Sequence, residues 1–153
     1  MTESRFGNGK ILAKTIKEEF PEKYEVKIDD VKEISPESVV ETKPDILIMG
    51  GAIRMFRGDP KAKKWLKKLN KALKENDHQI RYGTGFLTHG LPTNKVQGFA
   101  RRFLKKVKKT SRIENTYSEL LTARVKEQEG PILEEEFSKA KKYIKNFIDW
   151  INQ

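Results

Sequence analysis

Cysteine is absent from the 153 residues, so no disulfide, thiolate nucleophile or cysteine-based metal site can be built. Histidine is scarce: His78 and His89 are too few and too isolated for a metal centre, and His89 alone falls where it could touch a ligand. No apolar run approaches the ~20 residues that span a bilayer. The opening residues are polar and charged, from which a cytoplasmic protein without a secretory signal is expected. No nucleophile–base set stands out, and Glu127, Glu129, Glu134, Glu135 and Glu136 read as surface, so hydrolase chemistry is not expected. Repeats and low-complexity linkers are missing too. The length suits one domain, residues 1–153, with its own core.

Positive charge is abundant. Thirty-two Lys and Arg stand against 22 Asp and Glu, a formal +10. Such a balance favours an acidic protein, nucleic acid or an anionic membrane as partner. Here lysine is mixed with many glutamates, which suits a well-solvated surface. The lysine-rich helices lack interleaved exposed aromatics, so nucleic acid is not the expected partner.

Apolar spacing sets out alternating helices and strands. Leu12, Ile16 and Phe20 recur every four residues, one stripe of a helix that Pro21 ends. Tyr24, Val26 and Ile28 alternate with charged residues, the period-two pattern of a strand with one buried face. Ser35-Pro36 reads as a cap with proline at the first helical position, and Lys43-Pro44 stops the brief helix that follows. Asp45-Ile46-Leu47-Ile48-Met49-Gly50-Gly51 is a continuous apolar run, as in a parallel strand covered on both faces. Asp59-Pro60 opens a helix with Ala62, Trp65, Leu66, Leu69, Ala72 and Leu73 inward. Residues 79–82 read as a shorter strand and residues 84–90 as a glycine-rich loop; the next helix, from Pro92, buries Phe99, Phe103 and Val107. Residues 112–117 form the last strand, with residues 121–125 as its continuation. After Gly130-Pro131 the final helix starts on three acids and buries Ala140, Ile144, Phe147 and Ile148. This alternation predicts a parallel α/β sheet, with ligands beyond the carboxyl ends of its strands.

Ser4-Arg5-Phe6-Gly7-Asn8-Gly9 runs straight into the first helix. Its glycines admit an anion to the backbone, the first helical N–H groups point outward, and Ser4 and Asn8 add donors. The same residues also read as a plain helix cap at Asn8 or Gly9. The stretch resembles the Ser/Thr-x-Thr-Gly-Asn-Thr phosphate loop of flavodoxins, with Phe6 and Gly9 where that family has threonines. Each lost hydroxyl removes about 1.5–3 kcal/mol of charge-assisted bonding unless Arg5 or Lys10 compensates.

The resemblance implies an α/β, flavodoxin-like three-layer sandwich with a parallel sheet in 2-1-3-4-5 order and FMN as cofactor. It implies phosphate contacts from Ser4, Arg5, Phe6, Gly7, Asn8 and Gly9, and ring contacts from Gly51, Ala52, Ile53, Arg54 and Met55 and from Thr84, Gly85 and Phe86. No protein acid or base is needed, and the chain is either an electron carrier or an FMN-dependent oxidoreductase. Its partner would be a redox protein with an acidic surface or a small redox substrate. Gly51-Ala52-Ile53-Arg54 is also similar to the Gly-Ala-Ser-Ile-Arg segment of flavodoxin-like protoporphyrinogen oxidases, which pass electrons from a tetrapyrrole precursor to a quinone. A flavodoxin-like module that has lost its flavin is a third reading. The family's first, central strand has no counterpart in Met1-Thr2-Glu3, so it reads as truncated or missing, and a start assigned too far downstream is the expectation.

Overall fold

In chain order the helices are α1 (Asn8–Glu19), α2 (Pro36–Glu41), α3 (Pro60–Glu75), α4 (Gln97–Lys109) and α5 (Glu134–Ile151), and the strands are β1 (Ile46–Ala52), β2 (Ile80–His89), β3 (Ile113–Thr116) and β4 (Leu121–Arg124). The structure, a computed structural model, describes residues 7–53, 60–127 and 130–153. The expected caps form where short polar side chains precede the helix. Ser35 Oγ accepts from the Ser38 N–H at 3.2 Å, with Pro36 in the first turn of α2. In α3 the apolar stripe is the buried one: Ala62, Leu69 and Leu73 are fully enclosed, and the Trp65 indole N–H donates to the Ile34 carbonyl at 3.1 Å.

All strand pairs are parallel. β1 pairs β2 from Ile46↔Tyr82 to Ala52↔Thr88. β3 takes the first part of β2, from Ile80↔Ile113, and β4 takes its end, from Phe86↔Leu121 to His89↔Arg124. The last two strands are therefore one strand position interrupted at residues 117–120. Among the described residues β1 pairs with β2 alone.

Two cores flank this sheet. One is built from α2, α3 and α4 against Leu47, Met49 and Leu87; the other from α1 and α5 against Phe86, Leu121 and Ala123. The result is an α/β three-layer sandwich.

Two expectations need correcting. Residues 24–28 join no sheet ladder among the described residues, although Tyr24, Val26 and Ile28 are half-buried and Glu25 and Lys27 exposed, as the period-two pattern requires. Residues 84–89 are not a loop but the second half of β2. Their glycines serve close packing rather than a turn. A Cβ on Gly85 would stand 2.6 Å from the Met49 carbonyl oxygen and 2.9 Å from the Phe103 ring, and one on Gly83 would stand 2.8 Å from the Ile113 side chain. The loop begins at Gly90.

Candidate functional site

Three chain segments meet at the carboxyl edge of the sheet: the start of α1, the ends of β1 and β2, and the turn after β4. Gly7 precedes α1 with φ 82°, a left-handed conformation open to glycine at little cost. Among the described residues no side chain caps α1, and its first turn holds no acid. A helix start without negative charge in its first turn favours an anion through its dipole. Asn8 is buried, and the carboxamide faces Gly130 so closely that a Cβ there would lie 2.6 Å from Asn8 Oδ1. The turn after β4 thus closes on the first residue of α1.

At the end of β1, Gly51 and Ile53 are buried and Ala52 is half-buried, with the Ile53 N–H donating to the Thr88 carbonyl at 2.9 Å. Ser4, Arg5, Phe6, Arg54 and Met55 lie outside the described residues. Gly7, Asn8, Gly51, Ala52 and Ile53 lie at the carboxyl edge. Thr84, Gly85 and Phe86 do not. They sit mid-strand, with Thr84 hydrogen-bonded to the Tyr143 hydroxyl and Phe86 enclosed between α1, α5 and β4. Burial holds the Tyr143 hydroxyl neutral, its pKa raised well above 10 mainly by desolvation, and it donates to the Glu119 carbonyl at 2.9 Å. This triad ties α5 to the sheet.

Glu136, expected at the surface, is 6 % exposed; its Oε1 accepts from the Arg124 N–H at 3.1 Å and its Oε2 pairs with Lys139 at 3.5 Å. It fastens the start of α5 to the end of β4. The signal was the third acid in a helix start whose first two already serve the dipole.

His89 ends β2 and is 2 % exposed. Its Nδ1 lies 2.8 Å from the Leu91 carbonyl, which makes Nδ1 the protonated nitrogen. Nε2 is left as a buried acceptor with no partner among the described residues. Desolvation lowers the His89 pKa below 6.5, outweighing the Leu91 carbonyl and Glu136, which raise it. The unfolded chain then binds the proton that the folded protein refuses. Stability is therefore complete above the unfolded value and falls as pH drops through 6.5 toward the depressed folded pKa. In urea titrations between pH 7.5 and 5, His89→Asn, which can keep the bond to Leu91, should lose less stability than the parent.

The charge is segregated rather than mixed. α3 and α4 together carry thirteen Lys and Arg against one acid, Glu75, a formal +12. The remaining 19 cations and 21 acids leave the rest of the chain at −2. Twelve of the thirteen are exposed, Lys63 is half-buried, and among the described residues none forms an ion pair. Because α3 and α4 pack over the same face, their cations share one side of the sandwich.

Among the described residues no helix is long and apolar enough to cross a membrane, and no group of three or more metal-binding side chains occurs. No protein-family model matches the sequence, and no curated protein matches it either. Solved structures do. The chain is similar to oxidised flavodoxin 1 from Bacillus cereus, with a TM-score of 0.69 and 17 % identity, and to oxidised flavodoxin 2 from the same organism, at 0.68 and 15 %. Each match covers 97 % of this chain and 94 % of the other. The fold is flavodoxin-like.

Proposed function

We propose that the protein binds FMN at the carboxyl edge of its sheet and serves electron transfer. The observation that carries this is the start of α1: a left-handed glycine leading into an acid-free helix end, on the carboxyl side of a parallel sheet whose fold is that of flavodoxins. The flavin, when bound, supplies the one- and two-electron chemistry. The chain supplies the seat. Gly7, Asn8 and Gly9, with Ser4, Arg5 and Phe6 before them, would hold the phosphate. Residues 51–55 would border the ring, and the corrected position of β2 moves the second border from Thr84, Gly85 and Phe86 to the loop starting at Gly90.

The cationic α3–α4 face supports a redox partner with an acidic surface, which long-range attraction would steer toward the docking side. Raising ionic strength should then slow electron transfer to such a partner. A flavin-free module remains the second reading, favoured by Phe6 and Gly9 standing where hydroxyl side chains would serve a phosphate.

Titration of the purified protein with FMN, followed by quenching of flavin fluorescence, tests the proposal. Saturable one-to-one binding supports it; a protein that takes up neither FMN nor inorganic phosphate overturns it. Lys10→Glu gives a sharper arm. Lys10 is exposed in the first turn of α1. A glutamate there should steady the flavin-free helix by about 0.3–1 kcal/mol through the dipole. The same reversal places a negative charge beside the phosphate, at about 1 kcal/mol per unit charge at short range in water, so FMN affinity should fall roughly tenfold. Opposite signs on stability and binding locate the phosphate at this helix end.

A further inference from the structure

Charge on this molecule is sorted by face, down to single positions. Every exposed side chain from residue 61 to residue 74 is a lysine, and every exposed side chain from residue 98 to residue 109 is a lysine or an arginine. Eleven of the thirteen cations on α3 and α4 are lysine. The apolar residues of the same helices, Trp65, Leu66, Leu69, Phe103 and Val107, are buried in the core over the sheet.

In contact, that composition fits some partners and not others. Protein interfaces place desolvated aromatic and apolar anchors at their centre and are depleted in lysine. This face offers no exposed aromatic or aliphatic side chain among the described residues. An ammonium is compact and strongly hydrated, so it suits a partner whose anions stay in water. Single-stranded nucleic acid would need exposed rings for its bases to stack on. A major groove ~12 Å wide admits a single helix, whereas α3 and α4, in contact side by side, measure roughly 20 Å across.

The two helices follow parallel strands, so they run the same way down the sandwich, over about 24 Å and about 20 Å. In α4 all six cations lie between Arg101 and Lys109, away from the carboxyl edge of the sheet. The charge is therefore a panel along the flank, not a ring around the ligand seat.

We propose that the α3–α4 panel docks on an anionic bilayer surface, lying flat on it without inserting. Acidic headgroups form a plane of hydrated anions that long lysine stems from both helices reach together. At long range the same field attracts an acidic redox partner; at contact the panel is covered by headgroups, and the partner meets the carboxyl edge. The strands then run along the membrane plane, so the start of α1 and the ends of β1 and β2 open sideways and stay accessible.

The test is sedimentation of the flavin-free full chain with vesicles of phosphatidylcholine, alone or with about a third phosphatidylglycerol. Binding is expected to the anionic vesicles only, and to be lost in about 1 M salt, where the screening length falls to ~3 Å. Removing three panel charges, in Lys64→Gln/Lys67→Gln/Lys71→Gln, should weaken it about 100-fold, roughly fivefold for each lysine. Lys14→Gln/Lys17→Gln/Lys142→Gln removes the same charge from exposed positions on the α1–α5 side and should weaken it less than about threefold. All six positions are exposed, so circular dichroism of both triple variants should match the parent. Failure of the parent to sediment with anionic vesicles overturns the proposal. An equal loss in the two triple variants also does, because net charge rather than the panel would then be responsible. Duplex DNA or polyglutamate that strips the protein from vesicles at equal charge assigns the panel to nucleic acid or to an acidic protein, and overturns the occupant proposed. Flavin is absent from every arm, so these outcomes are separate from those of the FMN titration.

Discussion

Phe86→Ala is expected to remove about 3–5 kcal/mol of unfolding free energy, a large share of the roughly 5–15 kcal/mol available to a domain. Phe86 is 1 % exposed at the middle of β2 and packs into the core shared by α1, α5 and β4. Its ring also lies over Gly50 on the neighbouring strand, so closely that a Cβ on Gly50 would stand 2.3 Å from Phe86 Cζ. Gly50→Ala alone should therefore cost about 1–3 kcal/mol through overpacking. In the Phe86→Ala background the same methyl has the vacated ring volume to occupy, and its cost should vanish or change sign. Urea denaturation of both single variants and the double variant measures the coupling. A coupling below about 0.5 kcal/mol would mean that the two strands do not meet face to face as described. The midpoint should drop by about 10 °C for Phe86→Ala, at about 2–4 °C per kcal/mol for a chain of this size.

Much of the architecture was legible because helix stripes report burial directly. Leu12 and Ile16, the α3 stripe from Ala62 to Leu73, and Ala140 to Ile148 are all buried as their spacing requires. The run from Ile46 to Gly51 gave itself away as a strand by being apolar on both faces. Glycine misled at residues 83–85, because a local reading cannot tell a turn glycine from one pressed against a neighbouring carbonyl. Tyr24, Val26 and Ile28 had a strand's pattern, but pairing needs a partner, and pattern alone cannot supply one. Burial of Glu136 and His89 depends on contacts between α5, β2 and β4 that are distant in sequence. The same holds for the charge: α3 and α4 each look like a solvated helix, and only their packing on one face turns two lysine stripes into a single cationic side.

Gly130→Ala is expected to cost about 2–4 kcal/mol and to reach the proposed ligand seat as well. Two terms add. Gly130 holds φ at 107°, where an L side chain is strained by about 1–2 kcal/mol. The new methyl would also stand 2.6 Å from Asn8 Oδ1 and 3.2 Å from Nδ2, so the carboxamide or the start of α1 must shift. Gly7→Ala separates the terms, because φ there is 82° but among the described residues no atom lies within 4 Å of the added carbon. It should show the strain alone, about 1–2 kcal/mol. Asn8→Ala in the Gly130→Ala background should recover the steric part and leave the strain. Misplacing a binding group by about 1 Å can cost up to 100-fold, so FMN affinity should fall at least tenfold in Gly130→Ala and by less in Gly7→Ala. Denaturation midpoints and FMN titrations of the three variants check both halves. Loss of stability with unchanged FMN affinity would leave the packing of Gly130 on Asn8 intact as a structural fact while removing the phosphate from the end of α1.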